Sequence, residues 1–260
     1  MFSIIRSGLK TTNQEISIIS NNIANANATG FKKSRAKFED IFSINSEQRS
    51  GTLTGSGSVS ENPKRLHSQG SLRQTGGALD LAISGIGLFV LKGKSEDGLL
   101  SFTRDGSFQI NSDQEIVSSD GSNLLGLNQE ALIVPFSIQK DDGSLEYLSE
   151  VKVESDGKIL ASYDLTKDQE IGQILLSKFD NEADLFSVGN NKYVASDLSG
   201  QPELGGAMTG GFGEVQAGTL EMSNVTITEE LVSLIKAQQA FNGAAKILQT
   251  EIDISKKFTG

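Results

Sequence analysis

An α+β fold, with a helix at each end and an antiparallel β-rich region inserted between them, is predicted by three features of the 260-residue sequence. Of the 28 glycines, two fall in residues 1–50 and two in residues 226–260, so the ends are poor in a residue that weakens helices. Both ends also carry apolar residues spaced alternately three and four apart, the period of a narrow helix seam. The middle instead holds short apolar runs separated by Gly- and Asp-rich turns, the pattern of an antiparallel sheet.

The first helix is placed by Phe2, Ile5, Leu9, Thr12, Ile16, Ile19, Ile23 and Ala26, a seam with one polar member. It runs into "NNIANANATG", where Asn side chains can satisfy the last backbone carbonyls and Gly30 offers a left-handed stop. "FKKSRAKFEDIF" follows, with Lys32, Lys33, Arg35 and Lys37 among phenylalanines. Aromatics interleaved with base resemble a nucleic-acid surface, but bases beside a helix C-terminus also complement its dipole. The chain carries a net charge of −10, which argues against a polyanionic partner.

Residues 43–79 have few large apolar groups and read as a connecting segment. A structureless loop of that length does not suit a compact domain, so ordering by neighbouring subunits is expected. From Leu79 to about Asn224, "LDLAISGIGLFVL", "ALIVPFSI", "EVKVES" and "GQILLSKF" alternate with turns such as "KGKSEDG", "DDGS" and "SDGK". "GIGLFV" lacks the third glycine of a dinucleotide loop and reads as a strand.

The second helix opens on Thr226 with Glu229 three residues later, a capping box. Its seam is Ile227, Leu231, Leu234, Gln238, Phe241, Ala245, Leu248 and Ile252, again with one polar member. Amphipathic helices ordinarily dock on a core, but two narrow seams of equal length suit helix pairing and lateral assembly better. The resulting boundaries are residues 1–30 with 225–260, a connecting stretch 31–78, and a β-rich region 79–224.

Chemistry-bearing residues are sparse. There is no Cys and no Trp, which removes disulfides and thiolate metal sites. His67 is the single histidine, and no serine sits in an elbow motif, so neither a catalytic triad nor a zinc cluster is expected. His67 is expected at a surface or subunit contact. "DNEADLFSVGNN" departs from the calcium-loop spacing. No enzyme activity, cofactor or metal is expected. No apolar run reaches transmembrane length, and "MFSIIRSGLKTTNQEIS" has no apolar core of signal-peptide length, so transmembrane insertion is not expected and export, if any, uses another route. Charge is also divided: residues 1–45 hold six Lys/Arg against three acids and residues 225–260 hold four against four, which leaves −13 in the middle.

Three stretches carry a resemblance. "ISNNIANANATGFKKSRAKFEDIF" and "GTLEMSNVTITEELVSLIKAQQAFNGAAKIL" resemble the N- and C-terminal signatures of the bacterial flagellar rod and hook family. "RLHSQGSLRQTGGALDLAISGIGLFVL" with "FTRDGSFQI" is similar to the family's central β segment. The resemblance implies that the terminal helices pair as a coiled coil lining a hollow tube, with the β-rich region outside. Copies of the chain would stack helically, in contact with adjacent rod and hook proteins and the surrounding basal-body rings. Export would run through the flagellar secretion channel without a cleaved peptide.

On that reading the assembly interface is Ile5, Leu9, Ile16, Ile19, Ile23, Ile227, Leu231, Leu234, Phe241, Leu248 and Ile252, and Lys32, Lys33, Arg35 and Lys37 form a subunit joint with acids of the middle region. Length and "RLHSQGSL" suit the distal rod, while residues 43–64 are nearer hook length. A soluble β-rich carbohydrate-binding protein is the alternative outside the family, although the chain has no Trp and three Tyr to offer sugars.

Overall fold

The computed structural model describes residues 2–43, 54–93, 98–139, 145–163 and 168–259. Residues 44–53 of the connecting segment and most of the turns "KGKSEDG" and "DDGS" lie outside them. The fold is α+β: helix α1 covers Phe2–Ala24, helix α2 covers Ile227–Thr259, and the residues between form antiparallel strands. Two compact units emerge. One comprises residues 1–26, 33–66 and 225–260, the other residues 27–32 and 67–224. Residues 33–66 thus pack with the helices, whereas 67–78 belong to the β unit.

In the helical unit, α1 ends at Ala24, earlier than Gly30. The Asn25 amide nitrogen and side-chain Nδ2 both donate to Asn21 O, at 3.1 and 2.9 Å, so Asn side chains close the helix as expected. Gly30 lies in the β unit and has another task. At φ +64° its amide donates to Glu221 O at 2.8 Å, and a Cβ there would collide with the backbone of Asp105. Strands Phe38–Ser43 and Thr54–Ser60 pair as a ribbon, and the second lies against α1. Gly57, at φ +108°, leaves room for Ser7 of α1, where any Cβ would meet the Ser7 hydroxyl. The short strands Ser34–Arg35 and Lys64–Arg65 pair beside it.

In the β unit, strand Leu88–Lys92 is the centre. Its unbroken apolar sequence is that of a strand covered on both faces. Phe89 and Leu91 join a core with Leu81, Ile83, Phe108, Ile159 and Tyr163, while Leu88 and Val90 join a second with Phe102, Phe179 and Tyr193. Rings meet edge to face in each, Phe89 with Phe108 at 5.2 Å and Phe102 with Phe179 at 4.8 Å. "GIGLFV" is a turn into this strand, with Gly85 and Gly87 both at positive φ.

A four-stranded sheet, Ser137–Gln139, Leu145–Val153, Lys158–Tyr163 and Gln169–Gln173, contributes Ile159, Ala161 and Tyr163 to the first core from one face of a single strand. Its "SDGK" turn closes as read: Asp156 Oδ1 accepts from the Lys158 amide at 3.1 Å, and Gly157 adopts φ +82°. The "NN" of "VGNNKYV" makes the hairpin turn with Asn190 and Asn191 both left-handed. His67 is half-buried, with its ring edge-on to Tyr193 at 4.9 Å.

Candidate assembly interface

The asparagine-rich end of α1 is where the helical unit is joined. Asn22 is buried, and its amide does what a backbone peptide would do: Nδ2 donates to Ser34 O at 2.9 Å and Oδ1 accepts from Ser34 N at 2.9 Å. Nδ2 also donates to Glu230 Oε2 at 3.1 Å, tying the end of α1 to the first turn of α2. A helix N-terminus favours that carboxylate, as it does the adjacent Glu229, which lies 3.9 Å from Lys33. Around this junction lies a groove of about 370 Å³, lined by Glu15, Ile19, Lys33, Arg35, Glu229 and Ser233 among others.

Along α2, Glu230 and Ala237 are buried and Leu234, Phe241, Ala244, Leu248 and Glu251 half-buried, in steps of four and three, with Ser233 and Ala245 half-buried beside them. This heptad-spaced stripe shares Leu234, Phe241 and Leu248 with the expected seam, whose Ala245 is half-buried too, but takes Ala237 over the exposed Gln238. Ile227, Leu231 and Ile252 of the expected seam face outward, at 43%, 45% and 38% exposure. Val232, Ile235, Ile247, Ile254 and Phe258 are exposed as well. The helix is therefore apolar on the covered side and on the far side too, which a solitary helix on a domain surface does not need. On α1, Ile19 is buried, and Ile5, Leu9, Ile16 and Ile23 are half-buried.

The four basic residues after Gly30 do not form one surface. Lys32 belongs to the β unit and is fully buried, its ammonium 2.6 Å from Glu221 Oε1 and 2.8 Å from Ser68 O. Arg104 completes the cluster with NH1 3.1 Å from Glu221 Oε2. Burial pushes the Lys32 ammonium below its ordinary range, against the pull of Glu221. Its charge is committed inside the chain, which removes it from the surface joint. Lys33, Arg35 and Lys37 stay in the helical unit, where Lys37 contacts Glu61 at 2.8 Å and Glu39 at 3.2 Å. The hydrogen bonds that Lys37 donates to Glu61 and to Glu39 hold it above its usual value.

Three family matches fall on these same elements. Residues 4–32 match the family described as flagella basal body rod protein, residues 82–161 the flagellar hook protein FlgE/F/G D1 domain, and residues 216–258 the flagellar basal body rod FlgEFG protein C-terminal family. Over 94% of this chain and 91% of the relative, the sequence is 34% identical to the flagellar basal-body rod protein FlgG of Borreliella burgdorferi. The chain belongs to the flagellar rod and hook protein family. The rod protein FlgG of Bacillus subtilis is 34% identical across 95% of this chain and 93% of its own, and the rod protein FlgF of Caulobacter vibrioides is 30% identical over 95% and 91%. With the family comes the class of structural subunits of the flagellar axis. The matched ends of this rod and hook chain are the two segments that meet at Asn22 and Glu230. Among the described residues no helix is long and apolar enough to cross a membrane.

Proposed function

We propose that the chain polymerises helically with copies of itself into a hollow rod that carries motor torque and passes exported subunits. The observation that carries this reading is the uncovered apolar flank of α2, where Ile227, Leu231 and Ile235 stay 43–55% exposed beside the stripe that is covered within the chain. Burying the outer face against neighbouring copies supplies the driving force that an isolated subunit lacks. α1 and α2 pair as a coiled coil in the inner tube. Lys33, Arg35 and Lys37 form the remaining subunit joint, facing acids of the next copy's middle region. The flanking partners are adjacent rod and hook proteins and the surrounding rings. Export proceeds through the flagellar channel without a cleaved peptide, and the role is structural rather than catalytic.

The rod position, rather than the hook, is supported by relatives that are named basal-body rod proteins across nearly their whole length. Deleting residues 1–26 tests the assembly: the β unit should remain folded and soluble while tube formation is lost, because the helix pair loses one partner. Native tubes from the truncated chain would refute the assignment.

A further inference from the structure

The chain passes between its two units at residues 26/27, 32/33, 66/67 and 224/225, and the β-unit residues next to three of these crossings converge on one buried charge cluster. Lys32 stands at the second crossing, Ser68 just beyond the third and Asn224 at the fourth. Lys32 Nζ donates to Ser68 O at 2.8 Å, and Asn224 Nδ2 donates to Ser68 O and Oγ, both at 3.0 Å. Asn224 N donates to Phe31 O at 3.4 Å and Gly30 N to Glu221 O at 2.8 Å, so residues 29–31 and 221–224 run as a short pair.

Glu221, fully buried, is the centre. It accepts from Lys32, from Arg104 and, at 2.8 Å, from the Gly70 amide. Arg104 in turn donates to Ile83 O and Gly85 O, at 3.2 and 2.7 Å, which reaches the strand beside the main core. One carboxylate thus links the crossing segments to the fold of the β unit.

We propose that the Lys32–Glu221–Arg104 cluster is the force-carrying anchor of the β unit, the point at which tension arriving along the chain from the helical unit is transferred to the sheet. The proposal rests on the torque-transmitting reading above. Covalent connectivity leaves no route for chain tension other than these crossings. The few backbone hydrogen bonds of residues 29–31 with 221–224 would yield one at a time under load. A buried, fully hydrogen-bonded charge cluster does not come apart gradually, because separating it strands a desolvated charge. Glu221 and Lys32 are positioning residues here.

The test uses the full chain with Glu221→Gln and, as a milder variant, Lys32→Met, which keeps the Arg104–Glu221 pair. Hydrogen exchange should rise about tenfold or more at residues 27–32 and 219–224, while residues 88–92 keep wild-type protection. Cells with either variant as their sole copy should assemble axes and swim in dilute medium. They should lose rotation disproportionately as viscosity, and with it torque, is raised. Exchange that is unchanged, or that rises equally at residues 88–92, overturns the anchor, and so does a motility loss independent of viscosity. Failure of the wild-type chain itself to form tubes would instead overturn the assembly reading.

Discussion

Replacing Leu231 by Asp separates assembly from folding. Leu231 is 45% exposed in the single chain, and fully burying a Leu side chain is worth about 1.5–3 kcal/mol, so closing its exposed part against a neighbour contributes about 1 kcal/mol. Ile227 and Ile235, 43% and 55% exposed, add about as much each, so the outer face offers about 3 kcal/mol per subunit. Leu231→Asp forfeits its share and places an unpaired carboxylate in an apolar contact, a penalty of about 3 kcal/mol or more. Together these raise the critical concentration for assembly by about three orders of magnitude. The monomer should change by no more than about 0.5 kcal/mol, since the site already faces water. Sedimentation across a concentration series measures the first quantity, and urea unfolding of the monomer the second. Wild-type assembly by Leu231→Asp, or an unfolded monomer, would refute the outer face as the contact.

Three further outcomes follow from the geometry. Asn22→Ala strands both backbone groups of Ser34 and removes a donor from Glu230; with the groove admitting water, the loss should be about 2 kcal/mol, read as faster hydrogen exchange in α1 with the β unit unaffected. Reversing Lys33, Arg35 and Lys37 together should abolish assembly, while added salt weakens the wild type only modestly; a reversed chain with wild-type assembly and salt dependence would remove the joint. For Asp120, burial pushes the carboxyl up, but hydrogen bonds from Lys192 and from the Ser122 backbone outweigh it and hold the group below its usual value. A depressed folded value means the stabilisation is present above the unfolded value, about 3.9, and is lost as pH falls through the folded one, so the stability gap between wild type and Asp120→Asn should close in acid and persist at neutral pH.

Periodicity made both helices legible, because a 3.6-residue turn and an apolar stripe are local properties. The β turn at Asp156–Gly157 was legible for the same reason. What local pattern missed are residues whose role is set by distant partners. Lys32 read as one of four surface bases, yet Glu221 and Arg104, 189 and 72 positions away in sequence, draw it inside. Gly30 read as a helix stop because φ > 0 fits one, but its need for space comes from Asp105. On α2, a strict four-three count chose Gln238, whereas packing chose its small neighbour Ala237.

The most direct test of the assembly account is an electron cryo-microscopy map of the axis isolated from cells that carry this chain, at side-chain resolution. The account predicts a hollow tube with α1 and α2 of every subunit lining it and with Ile227, Leu231 and Ile235 closed against the neighbouring copy. Terminal helices on the outer surface, or those three side chains left in solvent, would contradict it.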